Sequence, residues 1–173
     1  MKRICLILAL ALLCVACGTP TENNADEGKT TIELQVEEGL FRYHREMYPQ
    51  GDCDGVGFVI MGQDIVDGKI NVYTICSYGS YEERDGAMCK TQGHACLPMV
   101  VVLDEETFEY IETKEPEDNE DYYKSVAALF PNAEHQNRIF QLSIEDFTAV
   151  SSMEAQCISE YLEENDMEMV IKY

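Results

Sequence analysis

The sequence has 173 residues, 46% of them hydrophobic and 26% charged, and its 12 Lys and Arg against 33 Asp and Glu leave a formal charge of -21. Such a chain lacks the clustered cations that neutralise phosphates, which excludes nucleic acid as a partner class. The apolar fraction, with 10 Tyr and 6 Phe, is that of a folding chain rather than a disordered acidic one, and the length is that of one domain.

The chain begins with Lys2 and Arg3, an apolar run over residues 4–15, and Ala16 before Cys17. A membrane span needs about 20 apolar residues, so this run reads as a cleaved export signal, residues 1–16, outside the fold. Val15-Ala16-Cys17-Gly18 resembles the lipobox of bacterial lipoproteins, although Cys14 stands where Leu is usual. That resemblance implies diacylation of Cys17 and a protein attached to the membrane on the extracytoplasmic side of the cell envelope. Residues 17–29 are small and polar, without large apolar side chains, and read as a flexible tether. Loss of Lys2 and Arg3 makes the mature chain more acidic still. Anionic headgroups repel it, so the acyl chains anchor it, at about 0.8 kcal/mol per buried methylene.

The remaining residues, 30–173, read as a single domain. Thr30-Thr31-Ile32-Glu33 has capping-box spacing, and Val36, Leu40, Tyr43 and Met47 recur at helical intervals up to Pro49. Residues 56–65 are densely apolar, Asp67-Gly68 is a turn signal, and Ile70, Val72, Thr74, Cys76 and Tyr78 alternate on one strand face. Residues 79–95 are polar and contain glycine, as in a long loop. Residues 99–103 and 108–113 then make a second hairpin around Asp104-Glu105-Glu106. A short helix carries Tyr122, Tyr123, Val126, Leu129 and Phe130 before Pro131. Ser143-Ile144-Glu145-Asp146 caps a long helix whose stripe is Phe147, Val150, Met153, Cys157 and Tyr161. This order contains no parallel crossover unit. It predicts an α+β fold: an antiparallel four-stranded meander with the N-terminal helix and the C-terminal helices packed on one face, Leu40 and Phe147 both turned towards the sheet.

Leu40-Phe41-Arg42-Tyr43-His44, Tyr48-Pro49-Gln50-Gly51-Asp52, Val72-Tyr73-Thr74, Pro98-Met99-Val100-Val101, Asp121-Tyr122-Tyr123-Lys124 and Leu129-Phe130-Pro131 resemble the extracellular C-terminal domain of BlaR-type membrane metallopeptidases of Firmicutes. The resemblance spans residues 35–163. It implies the fold of that outer domain and neither proteolysis nor a penicillin-binding serine, since the peptidase zinc motif belongs to the membrane part of those proteins and no His-Glu-x-x-His occurs here.

Candidate chemistry is sparse. His44, His94 and His135 fall on a helix, a loop and a polar segment without ligand spacing. Zinc would have to be held by His94 with Cys89 and Cys96, but in an exported chain these two cysteines are better read as a disulfide closing their loop. No nucleophile elbow, Ser-x-x-Lys or phosphate loop is present, and no cofactor is implied. The acidic runs 104–106, 115–121 and 163–166, and Asp52-Cys53-Asp54-Gly55, lack the order of a calcium loop and read as solvated turns. Tyr73, Tyr78, Tyr110 and Tyr122, with Tyr81 and Tyr123 beside them, are candidates to line a ligand groove.

Of eight cysteines, Cys5 and Cys14 fall in the leader and Cys17 is acylated, leaving an odd number for pairing. Cys76, on the apolar strand face, is the expected free thiol. With Cys89 and Cys96 in one loop, Cys53 is left to pair with Cys157, and the resembling family also carries cysteines near these two places. Two functions follow from different classes: a non-catalytic, surface-anchored binding or sensor-accessory module for an envelope protein, peptide or glycan, and an envelope enzyme using a reactive thiol.

Overall fold

The computed structural model describes residues 29–173; the leader, Cys17 and the tether up to residue 28 lie outside them. Among the described residues no helix is long and apolar enough to cross a membrane.

Helix α1 (Thr31–Met47) starts where the Thr30 side chain accepts from the Glu33 amide and the Glu33 carboxylate accepts from the Thr30 amide at 2.7 Å. Such a cap contributes about 1 kcal/mol, and the backbone hydrogen bond from Thr30 holds the Glu33 carboxyl below its usual range. The helix buries Val36, Leu40 and His44, spaced four residues apart. Met47 is more than half exposed, so His44 takes the place that the periodicity assigns to Met47.

Three long strands follow, β1 (Cys53–Val66), β2 (Lys69–Arg84) and β3 (Ala87–Asp104), then the short β4 (Tyr110–Lys114). They pair antiparallel in chain order, as expected for a meander. Both tight turns are Asp-Gly pairs with positive φ, 51° and 74° at Asp67-Gly68 and 52° and 73° at Asp85-Gly86. That conformation matches the twist of a two-residue hairpin. The second turn overturns the loop expected over residues 79–95: they complete β2 and begin β3, with Glu82 facing Cys89 and Tyr78 facing His94 in the register.

Helices α2 (Tyr122–Leu129), α3 (Ala133–Phe140) and α4 (Ile144–Glu164) complete the α+β architecture, and a last strand, β5 (Val170–Lys172), runs parallel to β3 beside Ala87, Met88 and Cys89. Neither α3 nor β5 is foreshadowed by the periodicity. The helices do not share one face. Val36 and Leu40 of α1 pack with Val56, Phe58, Val72, Cys76, Tyr78, Met99 and Val101. Val126, Phe130, Ile139 and Val150 from α2, α3 and α4 pack with Tyr73, Ile75, Val100 and Val102, the alternate residues of the same strands. Both sheet faces are therefore covered, which accounts for the unbroken apolar run from Val100 to Leu103.

The long helix crosses β1 where Gly57 leaves room for it, since a Cβ there would collide with the Val150 carbonyl. Its buried stripe is Val150, Glu154, Ile158 and Leu162. Phe147 is 45% exposed, so Leu40 faces the sheet as expected and Phe147 does not. The stripe is rotated because Glu154, a carboxylate that periodicity assigns to solvent, is turned inwards.

Candidate functional site

The four candidate groove tyrosines do not line one groove. Tyr78 is buried under α1, whereas Tyr73 is buried on the opposite sheet face and donates its hydroxyl to Asp64 at 2.8 Å. Tyr110 fills the space that Gly39 leaves on α1, and Tyr122 packs beside Phe130 and Val126. Alternation along β2 separates Tyr73 from Tyr78, five residues apart.

The cysteines are redistributed as well. Cys89 and Cys96 lie on one long strand: Cys89 faces Glu82 of β2, whereas the residues flanking Cys96, His94 and Leu97, face Tyr78 and Cys76. The four steps from Glu82 to Tyr78 alone span roughly 13 Å, beyond the reach of a disulfide, so the expected pairing does not fit the strand. The same geometry dissolves the His94, Cys89 and Cys96 zinc set. Cys53 and Cys157 line a common cleft, where burial pushes the Cys53 thiol up to about 12 and also raises Cys157. Burial likewise raises Cys96 and Cys76. A nucleophilic thiol requires the opposite shift.

That cleft, about 470 Å³, lies between α1, the start of β1 and α4. Glu37, Asp52, Asp54, Glu160 and Glu164 line it against a single cation, Arg45, with Phe41 and Tyr161 among the walls. Lys29 binds Glu37 at 2.6 Å and Arg45 binds Asp54 at 3.1 Å. Asp52 accepts from the Glu83 amide at 2.9 Å. Glu160, which accepts from the Gln156 amide at 2.8 Å, and Glu164, near the end of α4, form no ion pair among the described residues. The Arg45 guanidinium lies 5.0 Å from the centre of the Phe41 ring, so the cleft already holds one cation against an aromatic face.

Beneath α1 lies a second cluster, one that the sequence does not announce. His44 on α1, Cys76 on β2 and His94 on β3 bring their donor atoms within 4.8 Å of one another. Cys76 Sγ is 3.7 Å from His44 Nε2 and 3.1 Å from Met99 Sδ. The His44 ring stacks on Tyr78 at 4.7 Å and lies 4.7 Å from the His94 ring, while Tyr48 packs against both histidines. Burial, with His94 nearby, lowers the His44 pKa to about 3; burial, with Lys90 opposing a positive charge, lowers that of His94 to about 4. Both rings are thus neutral near pH 7, beside a protonated thiol. Five buried polar side-chain atoms lack a hydrogen-bond partner among the described residues, and three of them belong to His44 and His94. The spacing of Val36, Leu40 and His44 is the one signal that could have marked His44 as buried.

On the other sheet face a buried carboxylate is paired. Glu154 Oε1 accepts from the Tyr81 hydroxyl at 2.6 Å and from Lys90 Nζ at 2.8 Å. Gly79 keeps room for it, because a Cβ there would meet the Glu154 carboxylate.

In comparisons with known proteins, no family model, curated protein or solved structure matches the chain, so no relative points to catalysis.

Proposed function

We propose that the protein is a lipid-anchored, non-catalytic binding module of the bacterial envelope, a stand-alone counterpart of a sensor's outer domain, which takes a cationic segment of a peptide or protein partner into the α1–α4 cleft. The observation that carries this reading is the excess of carboxylates over the single Arg45 in a concave site with aromatic walls. Electrostatic attraction from so acidic a chain would speed the encounter, and the Phe41 and Tyr161 rings would receive the cationic side chains. The raised thiols favour this reading over thiol-based catalysis. Anchoring rests on Cys17 and the polar segment behind it.

Binding of an oligo-lysine peptide and an oligo-glutamate peptide to the full-length protein in detergent, measured by calorimetry at low and physiological salt, tests the cleft. The lysine peptide binds and weakens with salt, and Glu160→Lys with Glu164→Lys weakens it about tenfold. Equal binding of both peptides, or no effect of the reversals, contradicts the proposal. Detergent phase separation tests the anchor: wild type enters the detergent phase and Cys17→Ser does not, whereas a wild type wholly in the aqueous phase removes the lipoprotein reading.

A further inference from the structure

We propose that His44, Cys76, His94 and Met99 form a binding site for a copper ion, held between α1 and the β2–β3 pair, and that this site is separate from the acidic cleft. One thiol, two imidazoles and a thioether converge from three elements, with the histidine and cysteine donor atoms within 4.8 Å of one another and the two sulfurs 3.1 Å apart. Around a single ion at ordinary metal–nitrogen and metal–sulfur bond lengths, donors stand about 3.5 Å apart, so rotations closing the gap by about 1 Å complete the site. Two imidazoles, a thiolate and a thioether are the combination that suits copper, whereas zinc sites draw on cysteine, histidine and carboxylate.

Hydrogen bonding within the cluster is incomplete as well. His44 is completely buried, yet among the described residues its Nδ1 has no partner, and neither ring nitrogen of His94 has one. Buried nitrogen without a partner is costly, and native interiors rarely keep it without a reason. The other two unpartnered atoms are single: Ser77 Oγ, on the residue that follows Cys76, and His135 Nδ1, on a ring that packs on Tyr73 across the sheet. His94 and Tyr48 are only partly buried, so the cluster is one side chain from solvent. Tyr78, which stacks on His44, is itself fixed by donating its hydroxyl to Asp54 at 2.9 Å. Binding needs no change of oxidation state: Cu(I) enters, Cys76 releases its proton to solvent as the sulfur–copper bond forms, and the ion remains Cu(I).

The test is an anaerobic titration of the reduced full-length protein in detergent with Cu(I) buffered by a competing chromogenic chelator, followed by X-ray absorption of the loaded protein. The expected result is one tightly held equivalent with mixed nitrogen and sulfur neighbours. His94→Gln, on a partly exposed residue, and Cys76→Ser each weaken it roughly a hundredfold or more, while Cys89→Ser leaves it intact. Circular dichroism reports whether each variant folds, and His94→Gln decides if Cys76→Ser does not. No tight equivalent, an all-sulfur shell, affinity unchanged in His94→Gln, or Zn(II) held more tightly than Cu(I) overturns the proposal.

Discussion

Among the described residues, two buried polar clusters stand on opposite faces of the same sheet and are built to opposite rules. On the α4 side, the buried Glu154 carboxylate holds a hydroxyl and an ammonium group on its Oε1, so its charge is compensated. On the α1 side, the buried His44 and the partly buried His94 hold ring nitrogens that no described residue satisfies, against a thiol and a thioether. Removing one partner of a matched cluster leaves a buried charge without compensation, whereas an unmatched cluster costs stability until something else supplies the bonds. The difference separates a structural element from a binding element without reference to any relative.

The largest expected effect breaks the matched cluster. Glu154→Leu leaves Lys90 and Tyr81 facing an apolar wall, and urea denaturation should show a loss of about 3–5 kcal/mol. If stability is retained, the Glu154 network is not structural and the contrast fails. The opposite sign is expected at His44. In the metal-free protein His44→Phe keeps a ring to stack on Tyr78 and removes unsatisfied nitrogen, so it should gain about 1 kcal/mol. A loss of similar size would mean that the His44 nitrogens are satisfied in solution.

How much of this was legible varies with the interaction. The capping boxes at Thr30 and Ser143 are local and were readable, and both form. The Asp67-Gly68 turn was equally readable, but the same pair at Asp85-Gly86 is flanked by Glu82, Glu83 and Arg84, and that polarity disguised the ends of two strands as a loop. The consequence reached the site directly. A loop over residues 79–95 takes His94 off the sheet and makes Cys89 and Cys96 neighbours, whereas the strand pairs His94 with Tyr78 and sets the two cysteines apart. Glu154 was invisible for a related reason: a carboxylate on a helix reads as solvated unless its partners, Tyr81 and Lys90, are known to stand beneath it. The meander was legible because it follows chain order, whereas a cluster joining residues 32 positions apart depends on a register that no local pattern states.

Acid sharpens the comparison with a smaller effect. In the metal-free protein, His44 and His94 have folded pKa values of about 3 and 4, below the ordinary value of 6.5. The unfolded chain therefore takes up protons that the native state refuses, and their contribution to stability falls as pH drops below about 6.5. His94 faces Lys90, which opposes its protonation, and Glu154, which favours it. Denaturation at pH 6.5 and 5.5, with a chelator present, should show a decline in wild type that is reduced in His44→Phe. Equal declines would place the acid sensitivity elsewhere. The smallest effect is expected at Phe147. Because it is exposed, Phe147→Asp should change stability by no more than about 0.5 kcal/mol, and a large loss would mean that this end of α4 is covered.

The most direct test of the central claim is the thermal unfolding midpoint of the reduced full-length protein with and without one equivalent of Cu(I), in wild type, His94→Gln and Glu154→Leu. A ligand that binds only the native state raises the midpoint. The rise should appear in wild type, vanish in His94→Gln, and persist in Glu154→Leu on top of its lower starting value. A midpoint that copper leaves unchanged in wild type, or raises equally in His94→Gln, would contradict the assignment of the unmatched cluster as a binding site.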